Sequence, residues 1–160
     1  FQGLPPNPLP EPDLARAIRH AITLDGGARS RMPSAMVHGK EVPIQRLVRE
    51  HGMAWAMNGN AANDHVHEPL LTVLLGASVV LRIENRTAWQ HPMHLHGHAF
   101  RVLTVNGKPT RYREWRDTVM VDPNSVVELG FVADNPGDWM FHCHILQHQQ
   151  GGLMASVRVR

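Results

Sequence analysis

Along most of this 160-residue chain, apolar positions recur at every second residue in short runs closed by turn residues. Arg19 to Leu24 alternates weakly and predicts a first strand, ended by Gly26-Gly27. Met53, Trp55 and Met57 alternate just before Asn58-Gly59. Residues 70–75 and 78–84 are apolar, β-branched runs around Gly76, and 99–105 alternates up to the hairpin dipeptide Asn106-Gly107. Further strands are expected over 117–121, 126–132, 138–143 and 154–159, with Asp122-Pro123-Asn124 and Asn135-Pro136-Gly137 as turns. One segment has another period. Val42, Ile44, Leu47 and Val48 stand near helical spacing and predict a short helix over 41–51, with Pro43 in its first turn and Gly52 at its end. Residues 28–40 are polar and read as a loop. Seven or eight short strands with turns at this spacing predict an all-β, antiparallel Greek-key sandwich or barrel with a short helix in an inserted segment.

Five prolines between Pro5 and Pro12 make residues 1–14 an extended, stiff lead-in, and 15–160 is long enough for one domain with its own core. A start inside such a linker would account for the lack of a secretion signal at Phe1. A hydrophobic fraction of 42% against 19% charged residues marks a folded chain. The net charge of +2 is spread without a block of like charges, so no nucleic-acid partner is expected. No apolar stretch reaches the ~20 residues needed to cross a bilayer, so no membrane association is expected. The single cysteine, Cys143, excludes an internal disulfide framework.

Twelve histidines change the picture, because many of them fall in two windows. The first is His91-Pro92-Met93-His94-Leu95-His96-Gly97-His98. The second is His142-Cys143-His144-Ile145-Leu146-Gln147-His148. At a strand end, side chains two apart share a face and the residue between them points away. His142 and His144 therefore project together and Cys143 projects opposite, so one strand feeds two sites. His94 and His96 likewise share a face, while His91 turns toward the Cys143 side and His148 folds back to it from a following loop. The donors sort into His91, Cys143 and His148, the set of a blue-copper electron-transfer site, and His94, His96, His142 and His144, an all-imidazole set. Satisfied core histidines do not account for two same-face pairs around one thiol, and a zinc site leaves several of them without a role.

These windows, and the stretch NPGDWMFHCHILQHQQGGLM above all, resemble the carboxy-terminal cupredoxin domain of multicopper oxidases, with the bacterial laccase-like group nearest. The resemblance covers most of the chain. It implies a cupredoxin fold and copper as cofactor: His91, Cys143 and His148 match type 1 copper ligands, His94 a type 2 ligand, and His96, His142 and His144 type 3 ligands. It implies an enzyme in which the type 1 copper takes electrons from a small reductant such as a phenol, an aromatic amine or cuprous ion. They pass through Cys143 to a trinuclear cluster that reduces dioxygen to water, with Cys143, His142, His144 and His148 as the residues that carry the reaction. This chain would supply half of the cluster. The rest would come from amino-terminal cupredoxin domains of the same oxidase or from a second copy of this chain, and the location would be periplasmic or secreted.

The chain departs from that pattern in places. The axial position ten residues after the cysteine is Leu153, which cannot coordinate, and alternation aims the next residue, Met154, elsewhere. A missing axial ligand tends to raise the reduction potential. Gln149 follows the last ligand histidine where relatives often have a carboxylate, and an amide cannot deliver a proton. His65-Val66-His67 matches no family ligand and reads as a solvated loop, and His98 reads as a residue outside the ligand sets. The rival reading is a mononuclear blue-copper carrier without oxidase activity.

Overall fold

The computed structural model describes residues 8–64 and 68–160; the His65-Val66-His67 pair lies outside them. The β-strands are β1 (Ile18–Gly26), β2 (Ser34–Val37), β3 (Lys40–Pro43), β4 (Trp55–Met57), β5 (Leu71–Val73), β6 (Ser78–Asn85), β7 (His91–Leu95), β8 (Phe100–Val105), β9 (Lys108–Pro109), β10 (Trp115–Arg116), β11 (Thr118–Val121), β12 (Val126–Val132), β13 (Gly137–Cys143) and β14 (Met154–Val159). The helices are α1 (Ile44–His51) and α2 (Leu146–Gln150). One sheet runs β10-β8-β12-β6-β1-β4, with β9 on β8, and the other runs β11-β7-β13-β14-β5; β2 and β3 form a separate hairpin. This is a two-sheet sandwich of cupredoxin type.

The inner faces follow from alternation. Ile22 and Leu24 of β1, Leu81 and Ile83 of β6, and Leu129 and Phe131 of β12 meet Met93, Leu95, Phe141 and Val157 of the other sheet in one core, each fully buried. Two pairings depart from the expected antiparallel pattern: β1 runs parallel to β6, and β14 parallel to β5. Both join strands far apart in sequence, which local turn signals do not reveal. The strands on either side of Gly76 do not pair, since β5 belongs to one sheet and β6 to the other. The crossing leaves Leu74 and Leu75 exposed at 70% and 55%.

The expected loop at 28–40 contains β2, and β3 takes the first residues of the expected helix, so α1 begins at Ile44 and ends at Gly52, whose φ is 65°. Short strands with a polar outer side lose their periodic signal. Their inner residues Ala35, Val37 and Val42 join Leu47 of α1 and Met53 in a second, smaller cluster. Strand β4 lies between the two clusters. Trp55 and Met57 face the main core and Ala56 faces the small one, so all three are buried. The lead-in touches the larger sheet: Asp13 N donates to Ser78 Oγ at 2.9 Å, and Arg101 pairs with Glu11. No helix among the described residues is long and apolar enough to cross a membrane.

Phe141 lies on the inner face of β13 and is fully buried. Phe141→Ala is expected to cost about 3–5 kcal/mol through lost transfer energy and a residual cavity. Urea unfolding of the variant against the parent chain checks this.

Candidate metal centre

Strand β13 is held between β7 and β14. Its register against β7 sets His142 opposite His94 and Cys143 opposite Met93. Facing residues of an antiparallel pair lie on the same side of the sheet. His142 and His94 therefore share the outer face, while Cys143 points inward with Met93, and His91, two residues earlier on β7, joins that inner side. His91 and Cys143 are fully buried.

The inner set closes at the end of β13. The chain turns at His144 and Ile145 into α2, in place of the expected loop, and α2 carries His148 back over the thiol. His91 Nδ1 and His148 Nδ1 lie 3.2 Å apart, and each is 3.7 Å from Cys143 Sγ. No other histidine, cysteine or carboxylate group among the described residues forms such a cluster. Two imidazole nitrogens and one sulphur converging this closely fit a small, soft metal ion, and the donor types suit copper.

The electrostatics agree. Burial pushes the His91 imidazole down to about 4, with a smaller contribution from the neighbouring His148, and so keeps it in the neutral form that ligates. Burial pushes the Cys143 thiol up to about 11. A thiolate is therefore unfavourable there without a cation to compensate it. His148 is also pushed down by burial.

The tautomer of His91 is fixed from outside the trio. Asn85 Nδ2 donates to the carbonyls of Trp89, Val121 and Asp122 at 2.7, 3.0 and 2.9 Å. Its Oδ1 accepts from both the backbone N–H and the hydroxyl of Thr87. With that hydroxyl committed, Thr87 Oγ1 accepts from His91 Nε2–H at 2.8 Å, which leaves the Nδ1 lone pair facing the trio. Neither Asn85 nor Thr87 was signalled in the sequence, because side-chain hydrogen bonding to a ligand has no periodicity.

The outer set is more open. Ring centroids separate His94 from His96, His142 and His144 by 4.7, 5.6 and 5.4 Å. His142 and His144 stack at 21° although His144 lies just past β13. His96 Nε2 and His142 Nε2 face each other at 2.9 Å. His142 Nδ1–H donates to the Cys143 carbonyl, and His94 Nδ1–H to the Asp117 carbonyl and Thr118 Oγ1, each at 2.9 Å. Both residues so present a bare Nε2 to the cluster. Burial pushes His96 and His142 down, with help from the neighbouring histidines. His142 is buried and His144 exposed.

The other sequence candidates separate clearly. Leu153 is fully buried in the main core, and its backbone closes the trio: Cys143 N donates to Leu153 O at 3.1 Å and Leu153 N to His148 O at 3.0 Å. Met154 is in register with His142 and so lies on the outer side, away from the thiol. His98 packs against Phe131 and Trp139, with Nδ1 3.3 Å from the His96 carbonyl, outside both sets.

A family model described as multicopper oxidase matches residues 39–160. The chain belongs to the multicopper oxidase family. Multicopper oxidase mco of Staphylococcus epidermidis is 39% identical over 129 residues, which cover 76% of this chain and 28% of that protein. Multicopper oxidase MmcO of Mycobacterium tuberculosis is 38% identical over 105 residues, 64% of this chain and 19% of the relative. Among solved structures, a multi-copper oxidase from Pseudomonas thermotolerans matches with TM-score 0.76 and 28% identity, over 98% of this chain and 33% of that one. This multicopper oxidase domain thus spans only a fraction of the length of the relatives it matches. Copper is the family's metal, and the buried His₂Cys trio is consistent with a type 1 site.

Two expectations follow. Thr87→Val leaves the buried His91 Nε2–H unpaired, which is expected to cost about 1–3 kcal/mol and to weaken copper binding about 10- to 100-fold, while Thr87→Ser retains both. Denaturant titration and competition with a chromophoric copper chelator measure the two effects. The second concerns pH in the metal-free chain. An unfolded histidine titrates near 6.5 and folded His91 near 4, so between these values the unfolded state holds more protons. The His91 contribution, on the order of 3 kcal/mol, is present in full above pH 6.5 and is lost as the pH falls toward 4. Unfolding free energies at pH 7 and pH 5 should differ in that direction, and His91→Gln should flatten the slope.

Proposed function

We propose that residues 15–160 are the carboxy-terminal, type 1 copper domain of a laccase-like multicopper oxidase, with residues 1–14 as its lead-in. In this reading His91, Cys143 and His148 hold the type 1 copper. His94 is a type 2 ligand, and His96, His142 and His144 are type 3 ligands. Copper, when bound, supplies the one-electron redox change by which single electrons from a reductant are gathered for the four-electron reduction of dioxygen to water. The observation that carries the reading is the back-to-back placement of the two donor sets. Cys143 Sγ faces the inner trio, while the residues bonded to it on either side, His142 and His144, belong to the outer set.

The residues of this chain divide the work. Fully buried His91 and Cys143 would keep a bound metal from water, and half-buried His148 would give a reductant its nearest approach to that site. The backbone from Cys143 to its two neighbours is the shortest covalent link between the two sets. Of the outer imidazoles, His94 is oriented through Asp117 and Thr118 and His142 through the Cys143 carbonyl, each with Nδ1 engaged and Nε2 left to the cluster. Gln149 cannot hand on a proton, so proton supply falls to groups outside that position. The outer set offers four imidazoles on the outer side of the sheet, with His144 exposed. The remaining ligands come from an amino-terminal cupredoxin domain of the same oxidase or from a second copy of this chain. Phenols, aromatic amines and cuprous ion are the reductant classes, and the setting is periplasmic or secreted.

Copper loading tests the reading. The chain should take up one copper tightly with an intense blue absorption that Cys143→Ser abolishes. His142→Ala should leave the blue band in place and remove dioxygen uptake in the assembled oxidase. A blue band that survives Cys143→Ser overturns the ligand assignment. Full dioxygen turnover with His142→Ala overturns the role of the outer set.

A further inference from the structure

Trp55 opens β4, the three-residue strand between the two apolar clusters, and it is 7% exposed. Its indole lies on the His148 ring at 4.4 Å between centroids, tilted by 43°. The same indole meets the His91 ring edge-on at 5.1 Å and 81°. One side chain therefore touches both nitrogen donors of the trio. Trp89 backs it, edge-to-face at 5.5 Å and 88°.

The backbone makes this placement hard to avoid. Ala54 N and Trp55 N both donate to Gly151 O, at 2.9 and 3.0 Å, and bind β4 to the segment that follows His148. Gly152 has φ +118°, and a Cβ there would stand 2.2 Å from Trp55 O. A Cβ on Gly151 would stand 2.8 Å from Trp55 Cδ1. The glycine pair lets β4 approach closely enough to lay the indole on the His148 ring. The adjoining Leu153 ties its backbone to Cys143 and His148 while its side chain offers no donor.

We propose that Trp55 is a positioning residue of the trio: its indole clamps the His91 and His148 rings and seals them from water, in a site that Leu153 leaves without a fourth protein donor. Aromatic contacts of this geometry restrict both imidazole planes. The apolar wall excludes the water that would otherwise complete the coordination of a three-donor site. That exclusion keeps the local dielectric low, a recognised control on the potential of a metal site. The electronic part of this role rests on the function proposed above. The mechanical part does not, since it concerns the imidazoles and the thiol alone.

The first test uses the metal-free chain and the rate at which Cys143 reacts with a small thiol reagent. Trp55→Leu should raise that rate about tenfold or more by opening the site, and Trp55→Phe should stay near the parent. Met57→Ala, on the same strand and in the same core but not among the ring contacts, should lower stability without raising the rate. An unchanged rate with Trp55→Leu, or an equal rise with Met57→Ala, overturns the clamp. The second test uses the copper-loaded chain. Trp55→Leu should lower the reduction potential and widen the copper hyperfine splitting in electron paramagnetic resonance, and Trp55→Phe should restore both. Parent-like values with Trp55→Leu overturn the sealing role. The third needs no substitution and covers the case where Trp55→Leu does not fold. In the chain labelled with 5-fluorotryptophan, one equivalent of cuprous ion should shift the Trp55 fluorine resonance and leave that of Trp115 in place. A stationary Trp55 resonance with the metal bound overturns the proposal. If no variant binds copper while the thiol test succeeds, the function proposed above fails and the clamp stands.

Discussion

A strand seated between two neighbours cannot rotate about its own axis, and the functional end of this molecule depends on that restriction at β13. Hydrogen bonding to β7 on one side and β14 on the other fixes which side chains face inward. Phe141 and Cys143 go to the core, and His142 goes to the outer face. A slip of one residue would exchange the two faces. The thiol would then stand on the outer side with the other imidazoles, and His142 would be buried among Met93, Leu95 and Val157 with no trio to join. The large apolar residues on the inner face make that slip costly, because each would be turned toward water. Core packing and metal geometry are thus enforced by the same register.

Much of this was legible in the chain because alternation is a property of sequence. The parity of His142, Cys143 and His144 assigned two faces, and the matching parity of His91 against His94 and His96 assigned the partners. The same rule separated Leu153 from Met154, the first residue of β14. What parity does not encode is what the third dimension adds. The parallel pairings of β1 with β6 and β14 with β5 join strands tens of residues apart with no shared turn. The β2–β3 hairpin hid in a polar stretch because only one side of it meets the small cluster. The short helix α2 has too few residues to show a period, and its role is to bring one imidazole back over the thiol. Asn85, Thr87 and Trp55 act through contacts whose partners lie on other turns and strands, so none carried a signal.

The inner trio shows how a costly arrangement becomes the stable one. Three polar donors converge in the rim of an apolar core, where desolvation pushes both the imidazole of His91 and the thiol of Cys143 away from their charged forms. Such groups are stable only when their hydrogen bonds are complete. Asn85 supplies this at one remove. Its amide ties three carbonyls around the end of β6, and its carbonyl fixes the Thr87 hydroxyl that receives the His91 proton. The donor atoms facing the centre then have one another as partners, at 3.2 to 3.7 Å. A cation held between all three satisfies them together, which a proton shared by two of them does not.

The two donor sets differ in how much of their environment this chain provides. The inner set has walls on every side that matter: Trp55 over the imidazoles, Leu153 closing the backbone, and β7 and β13 beneath. The outer set has a floor but no roof. Its rings stand on the outer side of a sheet, where Asp117 and Thr118 orient His94, the Cys143 carbonyl orients His142, and His144 is open to solvent. Outside the core, His94 and His142 are fixed here by polar contacts at Nδ1 that leave Nε2 to the cluster. A chain selected only to hold the inner metal would have no physical reason to orient them. In the proposed assembly the covering domain therefore completes a half-built cluster, and the two-residue spacing around Cys143 keeps that cluster at a constant covalent distance from the site that feeds it.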